Sequence, residues 1–207
     1  MEVKDNQSME SIILETAERL FLEKGFAMTS TTEIAKEVGC NQALVHYYFR
    51  TKENLFNVIF EQKFKEFFHY IFDLYDLKEL SFTDKLRKII ETHFDMVRKN
   101  SKIPYLIINE FSRKPEQVRE MKEKLKFIPK VVIEQLNNEL EVEIAAGRIR
   151  RVSLMDLILS VVSLNISLFL LMPIASEIFE MTEIQKQMVI ENRKSEHVIM
   201  ILNSLRP

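Results

Sequence analysis

The sequence predicts an all-α protein, a three-helix N-terminal unit joined to a larger helical C-terminal region. The first observation is a scarcity of breakers. Only three Gly and five Pro occur in 207 residues, and these are the residues that interrupt helices. The second is composition, rich in Leu, Ile, Lys and Glu with no Trp, which favours helix over strand. The third is spacing. Apolar residues recur three and four positions apart in one segment after another. Hydrophobic residues make up 46% of the chain, enough for a core without disulfide or metal staples. The single cysteine, Cys40, excludes an internal disulfide and fits a reducing compartment. The first residues, MEVKDNQSMES, show no apolar core of a signal peptide.

Met9 to Lys24 reads as the first helix, with Ile13, Leu14, Ala17, Leu20 and Phe21 on one stripe. Gly25 ends it. Ser30 caps a second helix, and Glu33 three places on suits a capping box. Ile34, Ala35 and Val38 give that helix its inner face, and Gly39 closes it. Asn41 caps a third helix, from about Gln42 to Tyr48. Two short helices joined at a glycine turn, with a supporting helix before them, form a helix-turn-helix pattern.

The third helix carries four rings in succession, His46 to Phe49. A helix turns about 100° per residue, so they cannot share one face. Val45 and Phe49, four apart, suit the core. Gln42, Ala43, His46 and Tyr47 then face outward, as the second helix of such a unit does when it enters a major groove.

Further helices follow over about Lys52–Leu77, Thr83–Lys99, Pro104–Ser112 and Pro115–Ala146, the last with a break at Pro129. Ser153 caps an apolar helix running to Met172, and a last helix spans about Thr182–Leu205. Leu157 to Ser176 carries no charge over 20 residues, long enough to cross a bilayer. No basic cluster beside it sets a topology. The expectation is a helix buried inside the protein or between subunits.

Catalytic signatures are lacking. There is no Gly-rich phosphate loop, no HExxH and no GxSxG. His46, His69, His93 and His197 are scattered without metal-ligand spacing. The expectation is a non-enzyme without cofactor or metal.

The run GFAMTSTTEIAKEVGCNQALVHYYFRTKENLF resembles the DNA-binding region of the tetracycline-repressor-like (TetR) family of transcriptional regulators. The resemblance rests on Gly25-Phe26, Thr29-Ser30-Thr31, Ile34-Ala35, Gly39, His46 to Phe49, and Lys52-Glu53. It covers about the first 56 residues. It implies a ligand-responsive regulator in the cytoplasm. Such a protein would bind a palindromic double-stranded DNA operator as a homodimer and act most often as a repressor released by a small effector. Residues 1–55 would be the DNA-binding domain and 56–207 the effector-binding and dimerisation domain.

Carried onto this chain, the resemblance gives Thr31 and Thr32 contacts to the DNA backbone. Gln42, Ala43 and Leu44 would face the bases. His46, Tyr47, Tyr48 and Lys52 would meet phosphates. Hydroxyls and helix N-termini suit phosphate, and Gln and apolar side chains suit adenine edges and thymine methyls. Lys52 begins a helix, where the dipole disfavours a cation, so a phosphate partner would explain it. His46 stands where the family usually has Tyr. A charged His would strengthen phosphate binding; a neutral one would replace Tyr sterically.

Residues 1–55 hold six Lys/Arg against nine Asp/Glu, so cations must be focused on one face and the salt dependence should be shallow. For the effector pocket the aromatic supply suggests Phe64, Phe68, Phe94, Tyr105, Phe111, Phe127 and Phe169, with Asn109 and Asn165 as polar anchors. Such a pocket leans to an apolar or amphipathic ligand. The helices near 154–172 and 182–205 would form the dimer, with no membrane involved.

Overall fold

A computed structural model describes residues 8–75, 80–113, 119 and 130–207. The side chains of residues 64, 66–75, 106, 107, 110, 111 and 113 lie outside that description. The described residues form nine helices and no strand: α1 Met9–Lys24, α2 Thr31–Val38, α3 Gln42–Phe49, α4 Lys52–Tyr75, α5 Phe82–Lys99, α6 Ile103–Arg113, α7 Lys130–Ala145, α8 Leu154–Ile178 and α9 Glu183–Ser204. The all-α expectation therefore holds. Of the run expected over 115–146, only the part in α7 falls among the described helices, since 114–118 and 120–129 lie outside them.

Capping explains most of the helix starts. Ser8, Ser30, Asn41, Ser81, Ser153 and Thr182 each accept a hydrogen bond from the backbone amide three residues on. Each such cap stabilises by about 1 kcal/mol. Thr182 forms a full capping box with Gln185. The turn between α2 and α3 needs Gly39, whose φ is 79°. There Cys40 N donates to Ala35 O at 2.9 Å and Gly39 N to Lys36 O at 3.2 Å, the paired bonds of a Schellman stop.

The chain divides into two units, residues 1–65 with 106–125, and residues 66–105 with 126–207. In the first, α1 packs on α2 and α2 on α3. Their core joins Ile13, Ala17, Phe21, Ile34, Val45, Phe49 and Leu55. Cys40 is half-buried against this cluster. Phe21, Phe26 and Phe56 meet ring to ring at 5.2–6.1 Å.

In the second unit, α5, α8 and α9 pack on one another, and α7 lies against α5 and α8. Leu86 and Ile90, Leu136 and Leu140, Leu157 and Val161, and Val198 and Ile201 fill the centre.

One expectation about α8 needs correcting. It does not stop at Met172 but runs through Pro173 to Ile178. A proline only biases the residue before it away from helix, and the Ile-Ala-Ser-Glu-Ile that follows holds no breaker. Within its own chain α8 buries one side, in keeping with an expectation that allowed burial between subunits. Only Leu157, Val161, Asn165 and Phe169, four apart, are buried, while Met155, Leu159, Leu171 and Ile174 are exposed.

Candidate nucleic-acid interface

Helix α3 sorts its rings by face. Val45 and Phe49 are 1% and 2% exposed. Gln42, Ala43, His46, Tyr47 and Tyr48 are exposed, and Leu44 is half-buried. Tyr47 and Tyr48 meet edge to face at 5.3 Å, which stiffens an outward pair. Across the turn, Thr31 is half-buried and Thr32 exposed at the first turn of α2. Gln42 Nε2 donates to Thr31 Oγ1 at 3.1 Å, tying the starts of α2 and α3 together.

These groups border a cleft of about 400 Å³ lined by Met28, Ser30, Thr31, Gln42, His46, Arg50 and Lys52, among others. Three of these residues, Met28, Ser30 and Arg50, are not among the contacts implied by the resemblance, and Ser30 is the cap of α2. Arg50 is exposed, just after α3, at a φ of 64°. A non-glycine residue in that region is held there by its surroundings. Its amide donates to His46 O at 2.9 Å, closing the helix and turning the guanidinium-bearing residue back toward the cleft. Met28 is 78% exposed in the loop between α1 and α2.

Most cations of this region are already engaged. Arg19 donates to Glu37 at 2.7 Å and lies 3.4 Å from Glu23. Lys24 pairs with Glu33. The hydrogen bond to Glu37 raises the Arg19 pKa, and the bond to Lys24 lowers that of Glu33. Lys52 Nζ donates to Phe26 O at 2.8 Å and to Thr29 O at 2.9 Å. It also lies 4.4 Å from the Phe26 ring centroid, within cation–π range.

Residues 13–59 match the model for "Bacterial regulatory proteins, tetR family". Residues 13–59 therefore carry the DNA-binding region of the TetR family. A helix-turn-helix of that type marks a DNA-binding regulator of transcription. The fatty acid metabolism regulator protein of Bacillus subtilis is 24% identical over 139 residues, which cover 67% of this chain and 69% of that protein. A bacterial regulatory protein of the tetR family from Rhodococcus RHA1 superposes with a TM-score of 0.72 at 16% identity, covering 97% of this chain and 98% of that one. FadR from Bacillus subtilis, solved in complex with stearoyl-CoA, superposes with a TM-score of 0.64 at 15% identity, covering 94% and 98%. At these identities the two structures establish the shared fold.

The second unit holds a different kind of site. A cavity of about 140 Å³ lies among α5, α7 and α8, lined by Leu86, Ile89, Ile133, Leu136, Leu157 and Val161, with His93 as the one polar neighbour among the described residues. Of the described candidate effector side chains, Phe94, Tyr105, Asn109, Asn165 and Phe169, none is among its lining residues. Phe94 and Phe169 pack against each other at 5.3 Å with their rings tilted by 60° in the core, because large rings at helical spacing fill space rather than enclose it. Asn165 is fully buried and donates to Ile90 O at 3.1 Å. Tyr105 is exposed and Asn109 half-buried. The side chains of Phe64, Phe68 and Phe111, and the whole of Phe127, lie outside the described residues.

Proposed function

We propose that this protein is a cytoplasmic repressor of the TetR family that binds a palindromic operator as a homodimer and is released by a long-chain acyl-CoA. The observation that carries the DNA-binding part is the division of α3. Val45 and Phe49 are buried while Gln42, Ala43, His46, Tyr47 and Tyr48 are exposed. In this reading Thr31 and Thr32 touch the DNA backbone. Gln42, Ala43 and Leu44 face base edges, and His46, Tyr47 and Tyr48 meet phosphates. Arg50 joins the phosphate group. Residues 1–55 act as the DNA-binding domain and 56–207 as the effector-binding and dimerisation domain.

The exposed apolar faces of α8 and α9 support the dimer. Two recognition helices would then address half-sites about 34–36 Å apart. The effector class takes its support from the relatives, one a fatty acid metabolism regulator and another solved with stearoyl-CoA. The apolar cavity beside His93 suits part of an acyl chain. At about 140 Å³ it resembles in size an apolar cavity of roughly 150 Å³ that accepts benzene. Release requires the acyl-CoA to bind the non-DNA-binding conformation more tightly.

Selection of genomic fragments by the purified protein identifies the operator. Binding is then measured by fluorescence anisotropy with and without stearoyl-CoA. The reading expects a twofold-symmetric site and a fall in affinity on adding stearoyl-CoA but not free CoA. Selection of no fragment at low salt would sink the DNA-binding part, and indifference to acyl-CoA would sink the effector class.

A further inference from the structure

Lys52 is the first residue of α4, where a cation opposes the helix dipole. A lysine ammonium has three donors and no acceptor. Here one goes to Phe26 O and one to Thr29 O, and the Phe26 ring covers a further side at 4.4 Å. Two of the three donors are thus spent on the loop, and the Phe26 ring takes up part of the remaining surface of the ammonium.

The carbonyls belong to the loop that leads into α2. Phe26 is buried and packed against Phe21 and Phe56. Thr29 is 1% exposed, and its hydroxyl lies 2.9 Å from Gly25 O and 3.3 Å from Leu20 O. Ser30, the next residue, caps α2 by accepting from Glu33 N at 3.1 Å. Thr31 then begins the helix and accepts from Gln42 of α3. So a short chain of bonds runs from the first residue of α4, through the loop, to the starts of both helices of the DNA-binding pair.

We infer that Lys52 is a positioning residue rather than a phosphate contact: its ammonium ties the start of α4 to the Phe26–Thr29 loop and so sets how α2 presents Thr31 and Thr32 to DNA. The inference rests on the DNA-binding reading for its consequence, but the tie itself exists without DNA. A shift at the start of α4 is delivered through this ammonium to the loop that launches α2.

The test compares wild type with Lys52→Met, which keeps the length of the side chain and removes the charge. Operator affinity is measured at several salt concentrations on a genomic fragment selected by the wild type. Hydrogen exchange of amides 26–33 is measured on the DNA-free protein. The expected result is at least tenfold weaker binding, an unchanged salt slope, and faster exchange over 26–33. A direct phosphate contact predicts the opposite pattern. The slope would fall in magnitude by about 1.8 for a dimer, at roughly 0.9 per phosphate, with exchange unchanged; that result overturns the inference. Unchanged exchange alone also overturns it. Faster exchange in a protein that binds no DNA keeps the tie and removes the DNA-binding reading. If Lys52→Met does not fold, Lys52→Gln, which retains an uncharged donor, carries the same two measurements.

Discussion

Asn165 Oδ1 lies 2.8 Å from His197 Nδ1 between α8 and α9, with both side chains buried. The same amide lies 3.0 Å from His93 Nδ1 and donates to Ile90 O. A carbonyl can only accept, so the amide nitrogen is on the Ile90 side. His93 Nδ1 therefore accepts and His197 Nδ1 donates. The His93 imidazole is therefore neutral, and one asparagine joins α5, α8 and α9 through the two rings.

Stability should fall as the pH drops from about 6.5 towards 4. Burial lowers the His93 pKa from 6.5 to about 4, and burial also lowers that of His197, with Arg193 adding to it. The unfolded chain then binds more protons than the folded one in that window, so stability is fully present above it and lost on acidification. The His93 shift alone corresponds to about 3 kcal/mol. Urea denaturation at a series of pH values measures it, and a flat profile between pH 4 and 6.5 would refute a neutral buried His93.

Replacing Asn165 by Leu should destabilise the protein by about 2–4 kcal/mol. The His197 N–H and the His93 lone pair are left buried without the amide, and orphaned buried polar groups are expensive. Thermal or urea unfolding reads the loss. The pH profile of the variant also changes, because His93 no longer accepts a bond that protonation would break.

Tyr47→Ala and Phe49→Ala should separate binding from folding on one helix. Tyr47 is 67% exposed and Phe49 2%. Tyr47→Ala therefore leaves the melting temperature nearly unchanged and lowers operator affinity at least tenfold. Phe49→Ala opens a cavity in the first unit and costs about 3–5 kcal/mol. Equal melting losses in the two variants would contradict the sorting of faces.

The parts of the structure read from local rules were legible in the sequence. Ser30, Asn41 and Ser153 cap where their side chains reach an amide three residues away, and Gly39 stops α2 where a positive φ is needed. The partners that lie far along the chain were not. The Lys52 contacts join residues 23 and 26 positions apart, and Arg19 reaches Glu37 across 18. Nothing in the local pattern marks them. The cavity escaped for a different reason. Aromatic residues were the candidates, but Phe94 and Phe169 fill space against each other, and the walls of the open volume are Leu, Ile and Val together with His93.

Operator binding should depend only weakly on salt. Among the described cations of residues 8–55, Arg19 and Lys24 are ion-paired and Lys52 is held on carbonyls, which leaves Lys36 and Arg50 exposed. Two such cations per protomer of the proposed dimer give a slope of about −4 in log affinity against log salt, against about −10 for a strongly electrostatic repressor. Arg50→Ala should reduce that slope by about 2, since each protomer loses one phosphate. A slope near −10 would mean that the ion pairs open on binding.

The exposed side of α8 should bury itself against a second copy rather than a bilayer. By length and composition this helix is apolar enough to cross a membrane, with a mean hydropathy of 2.3. Its neighbours argue otherwise. Arg98 of α5 pairs with Glu191 of α9, and Lys194 of α9 with Asp95 of α5, both at 2.6 Å. These helices pack directly on α8, so inserting it would carry those four charges towards hydrocarbon at several kcal/mol. A second protein surface accepts the same apolar face and leaves the charges in water. Leu171→Lys combined with Ile174→Glu should therefore give a folded monomer by light scattering, and the wild type should stay dimeric without detergent. Operator affinity of the double variant should fall more than a hundredfold, because each half-site is then bound alone and the gain from joined binding is lost.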